Sequence, residues 1–247
     1  MYVEQTNETT IMAKAKSTLI EYSGTMGKEI HYTRFGRTYI RQLPVEYNDR
    51  QSEAQLRQRA LFKTRQRLSA LYGTILQRGL TKAAHQEGMT EANYFSRLNN
   101  HLFLYEDGEV HVDYAALQVA SGLLPVVDIT GFHFEGLHVE ITFAPHLENY
   151  KSRPDDVVHF YSVSPEAEYC DLMASVERPV GQASFDLPDL SDEPDTKQSP
   201  TFYLYAIVES ALTANVPTLS ADEKRAHKRH RNIDRKVSRS VFVGVVR

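Results

Sequence analysis

The spacing of apolar residues changes rhythm twice along this chain. Three short runs, Ser17–Tyr22, Glu29–Phe35 and Arg37–Leu43, nearly alternate apolar with polar positions, and Gly24, Gly27 and Gly36 punctuate them. A period of two marks strands with one wet face, and glycine supplies the positive φ that tight connections need. The pattern predicts a small β-hairpin or meander, ended by Pro44. The period then lengthens: Leu56, Ala60, Leu61, Leu68, Leu71, Tyr72, Ile75 and Leu76 recur at helical steps. This predicts one amphipathic helix with Ser52 as N-cap, Gly79 as stop and the apolar stripe in a core. A second, shorter helix is expected from Thr90 through Ala92, Tyr94, Phe95 and Leu98 to about His101.

After Asp107-Gly108 the strand rhythm returns and persists. The expected strands are Val110–Tyr114, Val126–Phe134, Leu137–Phe143, Val157–Val163, Tyr169–Val176, Ala183–Leu187, Phe202–Glu209 and Val237–Val246. Turn residues part them, among them Glu135-Gly136, Pro154-Asp155, Pro165, and Pro179 with Gly181. Short strands at such spacing, uninterrupted at first by a long helix, argue for an antiparallel immunoglobulin/fibronectin-like β-sandwich rather than a parallel sheet. The expected fold class is therefore α+β. Its organisation is a frayed start over 1–16 (with Met12 as an alternative initiation site), a strand-and-helix region over 17–120, and a β-sandwich over 121–247. A basic insertion, 211–236, interrupts the last hairpin, and Ser220 and Glu223 have capping-box spacing, which predicts a short helix over about 221–231.

Charge adds a second layer to this picture. Residues 28–67 carry Lys28, Arg34, Arg37, Arg41, Arg50, Arg57, Arg59, Lys63, Arg65 and Arg67 against Glu29, Glu46, Asp49 and Glu53. Acids dominate from 128 to 213, and a second basic run extends from Lys224 to Arg239. The net charge of −4 thus conceals a dipolar chain, in which the basic end of one copy can meet the acidic end of another. Solvated charged faces are the simpler reading of the same pattern. The candidate anion- or partner-binding residues are Lys224, Arg225, Lys228, Arg229 and Arg231 in the insertion and Arg57, Lys63 and Arg67 on the first helix. The insertion lacks aromatic side chains, so nucleic acid would be held there by phosphate attraction without base stacking.

Several parts of the chain resemble an uncharacterised family of bacterial proteins, a domain-of-unknown-function group of the Bacteroidota. The resemblance lies in Gly24 to Lys28, in Tyr39-Ile40-Arg41-Gln42-Leu43-Pro44, and in a Gln-x-x-x-Arg-x-x-Phe helix opening at Gln55, Arg59 and Phe62. It continues at Gly88-Met89-Thr90, Val112-Asp113-Tyr114, Ser121 to Pro125 and Ser238-Arg239-Ser240-Val241. This chain departs from the family in a glycine-poorer hairpin, in having no Trp, and in the long basic insertion. The resemblance implies the architecture and no activity. The Gln-x-x-x-Arg-x-x-Phe helix also resembles helices of phage-encoded structural proteins, an analogy rather than a physical argument.

The chemistry-bearing residues form no recognisable catalytic motif: there is no Walker A loop, GxGxxG, GxSxG or HExxH. Cys170, the single cysteine, sits in Glu-Tyr-Cys-Asp, where neighbouring acids disfavour a thiolate, so a structural thiol is expected. His111, His133, His138 and His159 fall on predicted strands, yet no spacing requires them to converge on a metal. Asp155-Asp156 and Asp192-Glu193 read as turn acids. No cofactor or metal is expected. No run approaches the ~20 apolar residues of a membrane helix. The polar start MYVEQTNETTIMAKAK has no secretory h-region, which makes the cytoplasm the default expectation. The function expected is a non-enzymatic structural or assembly protein, phage- or mobile-element-derived in one version, that associates with itself or another protein. The alternative is a binding module using the 211–236 insertion on an anionic partner such as nucleic acid.

Overall fold

A computed structural model describes residues 13–15, 24–34, 37–44, 51–145, 153–190, 200–214 and 236–247. The chain divides into two compact units, Met1–Ser52 and Glu53–Arg247. The first contains four antiparallel strands, β1 (Ala13–Ala15), β2 (Gly24–Met26), β3 (Glu29–Arg34) and β4 (Arg37–Gln42), in the order β1-β4-β3-β2. The expected strands at 29–35 and 37–43 are β3 and β4; β1 falls within the start expected to be frayed over 1–16, and the strand expected at 17–22 lies outside the described residues.

The second unit opens with α1 (Glu53–Leu71), α2 (Gly73–Gln86) and α3 (Glu91–Leu98). The single helix expected over this stretch is two. Backbone hydrogen bonds still run across the junction, from Tyr72 N–H to Leu68 C=O (2.8 Å) and from Leu76 N–H to Tyr72 C=O (2.9 Å). Gly79 does not stop the helix either. It lies inside α2, where a Cβ would sit 2.6 Å from the Ala120 Cβ and 2.7 Å from the Val119 carbonyl oxygen. The missing side chain lets residues 119–121 lie against the helix, and Ser121 N–H donates to the Gly79 carbonyl at 3.0 Å. Here glycine serves close approach rather than termination. The helix expected from Thr90 is α3, and Thr90 itself is its cap, its side-chain oxygen accepting from Asn93 N–H.

A hairpin follows, β5 (Phe103–Glu106) and β6 (Glu109–Val112). Its two-residue loop, Asp107 and Gly108, has φ of 50° and 88°, the sign a twisted hairpin requires. The sandwich comprises β7 (Ile129–Glu135), β8 (His138–Phe143), β9 (Val157–Ser164), β10 (Tyr169–Glu177), β11 (Gln182–Asp186), β12 (Phe202–Glu209) and β13 (Val241–Val246), with a short helix α4 (Ala211–Ala214) after β12. One sheet has the order β10-β9-β12-β13, the other β11-β8-β7, and all pairings among them are antiparallel. The chain is α+β with an antiparallel β-sandwich, as its rhythm predicts.

The four-stranded sheet is buried on both faces. Val158, Phe160, Phe202, Leu204, Ala206 and Val208 meet Val139, Ile141, Phe143, Ala183 and Phe185 inside the sandwich. The alternate positions Tyr161, Val163, Tyr205 and Ile207 pack with Leu68, Tyr72, Ile75, Leu76 and Leu80 of the helices. This three-layer stacking explains why β9 and β12 read as almost unbroken apolar runs, VVHFYSVS and FYLYAIVE, whereas β8 alternates strictly between exposed and buried.

Candidate functional site

Among the candidate residues on α1, Arg57 and Lys63 are exposed, and Arg67 is tied down. Its guanidinium donates to Glu168 Oε1 at 2.9 Å and to the Pro165 carbonyl at 3.4 Å, on the loop between β9 and β10. Arg65, from the same run, lies 5.3 Å above the Phe103 ring. The helix therefore divides along its length. Its C-terminal part is anchored through Leu61, Leu68 and Ser69, while Glu53 to Arg59 are exposed throughout. Leu56 belongs to the expected core stripe, yet it is 47% exposed and Phe62 is 62% exposed. The period predicted helix here, but Leu56 of the stripe is not covered, and Phe62, next to buried Leu61, lies off that stripe.

Lys224, Arg225, Lys228, Arg229 and Arg231, with the helix expected at 221–231, lie outside the described residues. The stem that carries this insertion is described. Ser210 N–H donates to the Lys236 carbonyl (2.9 Å), Ser238 N–H to the Val208 carbonyl (2.8 Å), and Glu209 pairs antiparallel with Val237.

Beside that stem the fold gathers polar groups that the sequence reading did not connect. Glu209, the last residue of β12, receives Arg78 Nη1 of α2 at 2.5 Å. The same nitrogen lies 3.0 Å from His159 Nε2 of β9, and His159 Nδ1 lies 2.8 Å from Ser175 Oγ of β10. His159 Nε2 also lies 3.3 Å from Glu209 Oε2, so the imidazole edge and the guanidinium converge on one carboxylate oxygen. Tyr161, two residues along β9, also hydrogen-bonds Arg78; burial pushes its hydroxyl up to about 12, against the pull of that cation. A carboxylate, imidazole, guanidinium, phenol and hydroxyl are what catalytic sites are made from. This group is sealed, however: Arg78 is 6% exposed, His159 2% and Glu209 0%. It works as an internal tie between α2 and the sheet. Its signal was present in the sequence as charged residues within otherwise apolar strands, which seldom go unpaired.

The outer face of the three-stranded sheet is rich in acidic side chains. His138 Nδ1 hydrogen-bonds Asp186 of β11 at 2.5 Å, and Glu140 and Glu135 lie close to the same ring. The bond to Asp186 raises the His138 pKa. His133 stands exposed opposite Glu140 in the β7–β8 register, and His111 is exposed on the β5–β6 hairpin. The four strand histidines are thus dispersed, and among the described residues no three His, Cys, Asp or Glu side chains form a metal site. Cys170 is half-buried, 3.9 Å from Thr74 Oγ1, and burial pushes its thiol up to about 12. Asp156 is buried and closes its turn, accepting from Arg153 N–H at 2.9 Å. No described helix is long and apolar enough to cross a membrane.

Compared with known proteins, the chain matches no family model, no curated protein and no solved structure.

Proposed function

We propose that this chain is a non-enzymatic structural protein that works by protein–protein contact, with α1 as its contact helix. The observation that carries this reading is the exposed first half of α1, where Leu56 and Phe62 stand out among Arg57, Arg59 and Lys63. Bulky apolar side chains with flanking cations are typical of a surface that becomes buried on association. Its complement, the acidic outer sheet with Glu135, Glu140 and Asp186, belongs to the same unit, so copies can join head to tail into rings or filaments. The sandwich supplies a rigid body. Its division into β7, β8 and β11 against β9, β10, β12 and β13 supports the fibronectin-like reading. The sealing of the Arg78, His159 and Glu209 group supports a role without catalysis.

Light scattering coupled to size exclusion, at low and high salt, tests this reading. Oligomers that dissociate in high salt are expected, as is their loss in a Lys63→Glu, Arg57→Glu variant and partial recovery when Glu140→Lys is added. A monomer at every salt and concentration overturns it.

The hydrogen-bonded stem of the 211–236 insertion favours a second reading, in which that segment is a presented binding element for an anionic partner such as nucleic acid. Deleting 213–235 would then abolish partner binding and leave the fold intact; a change in assembly instead would favour the first reading.

A further inference from the structure

The sheet of the first unit separates its chemistry by face. Alternation along β3 and β4 puts Ile30, Tyr32, Tyr39 and Arg41 on one side, because Tyr32 pairs with Tyr39 and Ile30 with Arg41. The two tyrosine rings stack across the strands, with centroids 5.3 Å apart and planes 16° from parallel. Both rings are half-buried, and Arg41 is exposed. Lys28, at the β2–β3 turn, is exposed as well. The other side carries the acid of this hairpin, Glu29, which lies 3.3 Å from His31 Nε2, together with the Thr33–Thr38 hydroxyl pair. No described acidic side chain falls on the tyrosine side.

We propose that this tyrosine–arginine face is a binding platform for single-stranded nucleic acid. Phosphates are attracted by cations, and no carboxylate competes with them among the described side chains of this face. Bases are planar and offer π faces, and aromatic rings held on an antiparallel sheet between such cations are the usual means of stacking them without sequence preference. An acidic protein surface would satisfy the cations equally well and make no particular use of a stacked ring pair. Its residues are other than those of α1 and of the 211–236 insertion, and they include the aromatic side chains that the insertion lacks.

The test is fluorescence anisotropy with the full chain and a labelled oligothymidine long enough to span ~16 nucleotides. Binding is expected to weaken with salt at a slope of roughly −0.7 per phosphate engaged. Arg41→Ala should flatten that slope by about one contact. Tyr32→Leu with Tyr39→Leu should weaken binding at least about tenfold at unchanged slope. Tyr32→Phe with Tyr39→Phe keeps the rings and controls for folding, so it should bind within about twofold of the parent. Deleting 213–235 should leave the tyrosine-dependent part of the binding in place. Three results overturn the proposal: no binding at low salt, binding indifferent to the tyrosine and Arg41 variants, or displacement by polyglutamate as effective as by unlabelled oligonucleotide. The last would assign the face to an acidic protein partner.

Discussion

Two four-stranded antiparallel sheets in this molecule have opposite fates. In β10-β9-β12-β13 the central strands are covered by helices on one side and by the second sheet on the other, and Phe160, Tyr205, Ile207 and Val208 are 0–1% exposed. In β1-β4-β3-β2 no described side chain is buried, and its strands alternate tyrosine, isoleucine and arginine with histidine and threonine. Equal strand count and equal ladder type therefore give very different stability. Hydrogen bonds exchange water for backbone at little net gain, and apolar burial supplies the driving force. With no buried side chain among its described residues, this sheet has little apolar burial to hold it. The buried sheet is the scaffold of its unit, and the proposed nucleic-acid platform belongs to the other.

The widest separation between the two should appear in amide hydrogen exchange. Central amides of β9 and β12 are expected to exchange only through global unfolding, and those of β3 and β4 through local opening, by ~1000-fold or more faster. Comparable protection in both sheets would break the contrast. Next in size, Phe160→Ala should cost about 3–5 kcal/mol, seen as a melting point lower by on the order of 10 °C, whereas Tyr32→Leu should leave the main transition within about 1 °C. Glu209→Ala removes the carboxylate from the buried Arg78 and should cost about 3–5 kcal/mol in chemical denaturation. A cost under about 1 kcal/mol would mean that water reaches the cluster.

Alkaline pH sharpens the same comparison. The Cys170 thiol is raised by burial from 9.0 to about 12, and Tyr161 from 10.0 to about 12, while Tyr72 and Tyr205 move in the same direction for the same reason. Between the ordinary and the raised values the unfolded chain has lost protons that the folded one keeps. The stabilisation is complete below pH 9 and is lost as pH climbs from 9 toward 12. Denaturation midpoints should fall across that window, and Cys170 should resist alkylation at pH 8 until the protein unfolds. The smallest effect belongs to Arg67→Ala. Both partners of its ion pair with Glu168 are more than half exposed, 59% and 69%, so the loss should stay under about 1 kcal/mol.

Much of this fold was legible because its signals are local. The Thr90 cap, the Glu29–Arg34 and Arg37–Gln42 strands and most sandwich strands follow from periods of two and 3.6 and from turn residues. The Asp107-Gly108 turn was visible as a boundary, yet β5 on its near side was missed, because four residues ending in an acid carry little alternation. Gly79 was misread for a related reason: a glycine that ends a helix and one that admits a neighbouring chain look alike without the neighbour. Of the candidate site, Arg57 and Lys63 are exposed, whereas Arg67 is engaged by Glu168.

The sequence by itself determined most of the elements and their order, the antiparallel sandwich and the uneven spread of charge, since each depends on residues a few positions apart. Only the tertiary structure decided which apolar stripe is covered, why Leu56 and Phe62 stand exposed, and which charge meets which. Arg78 and Glu209 are separated by 131 residues. Periodicity sets the direction of a side chain along its own strand or helix, but a buried ion pair exists only where two distant elements close over it and exclude water.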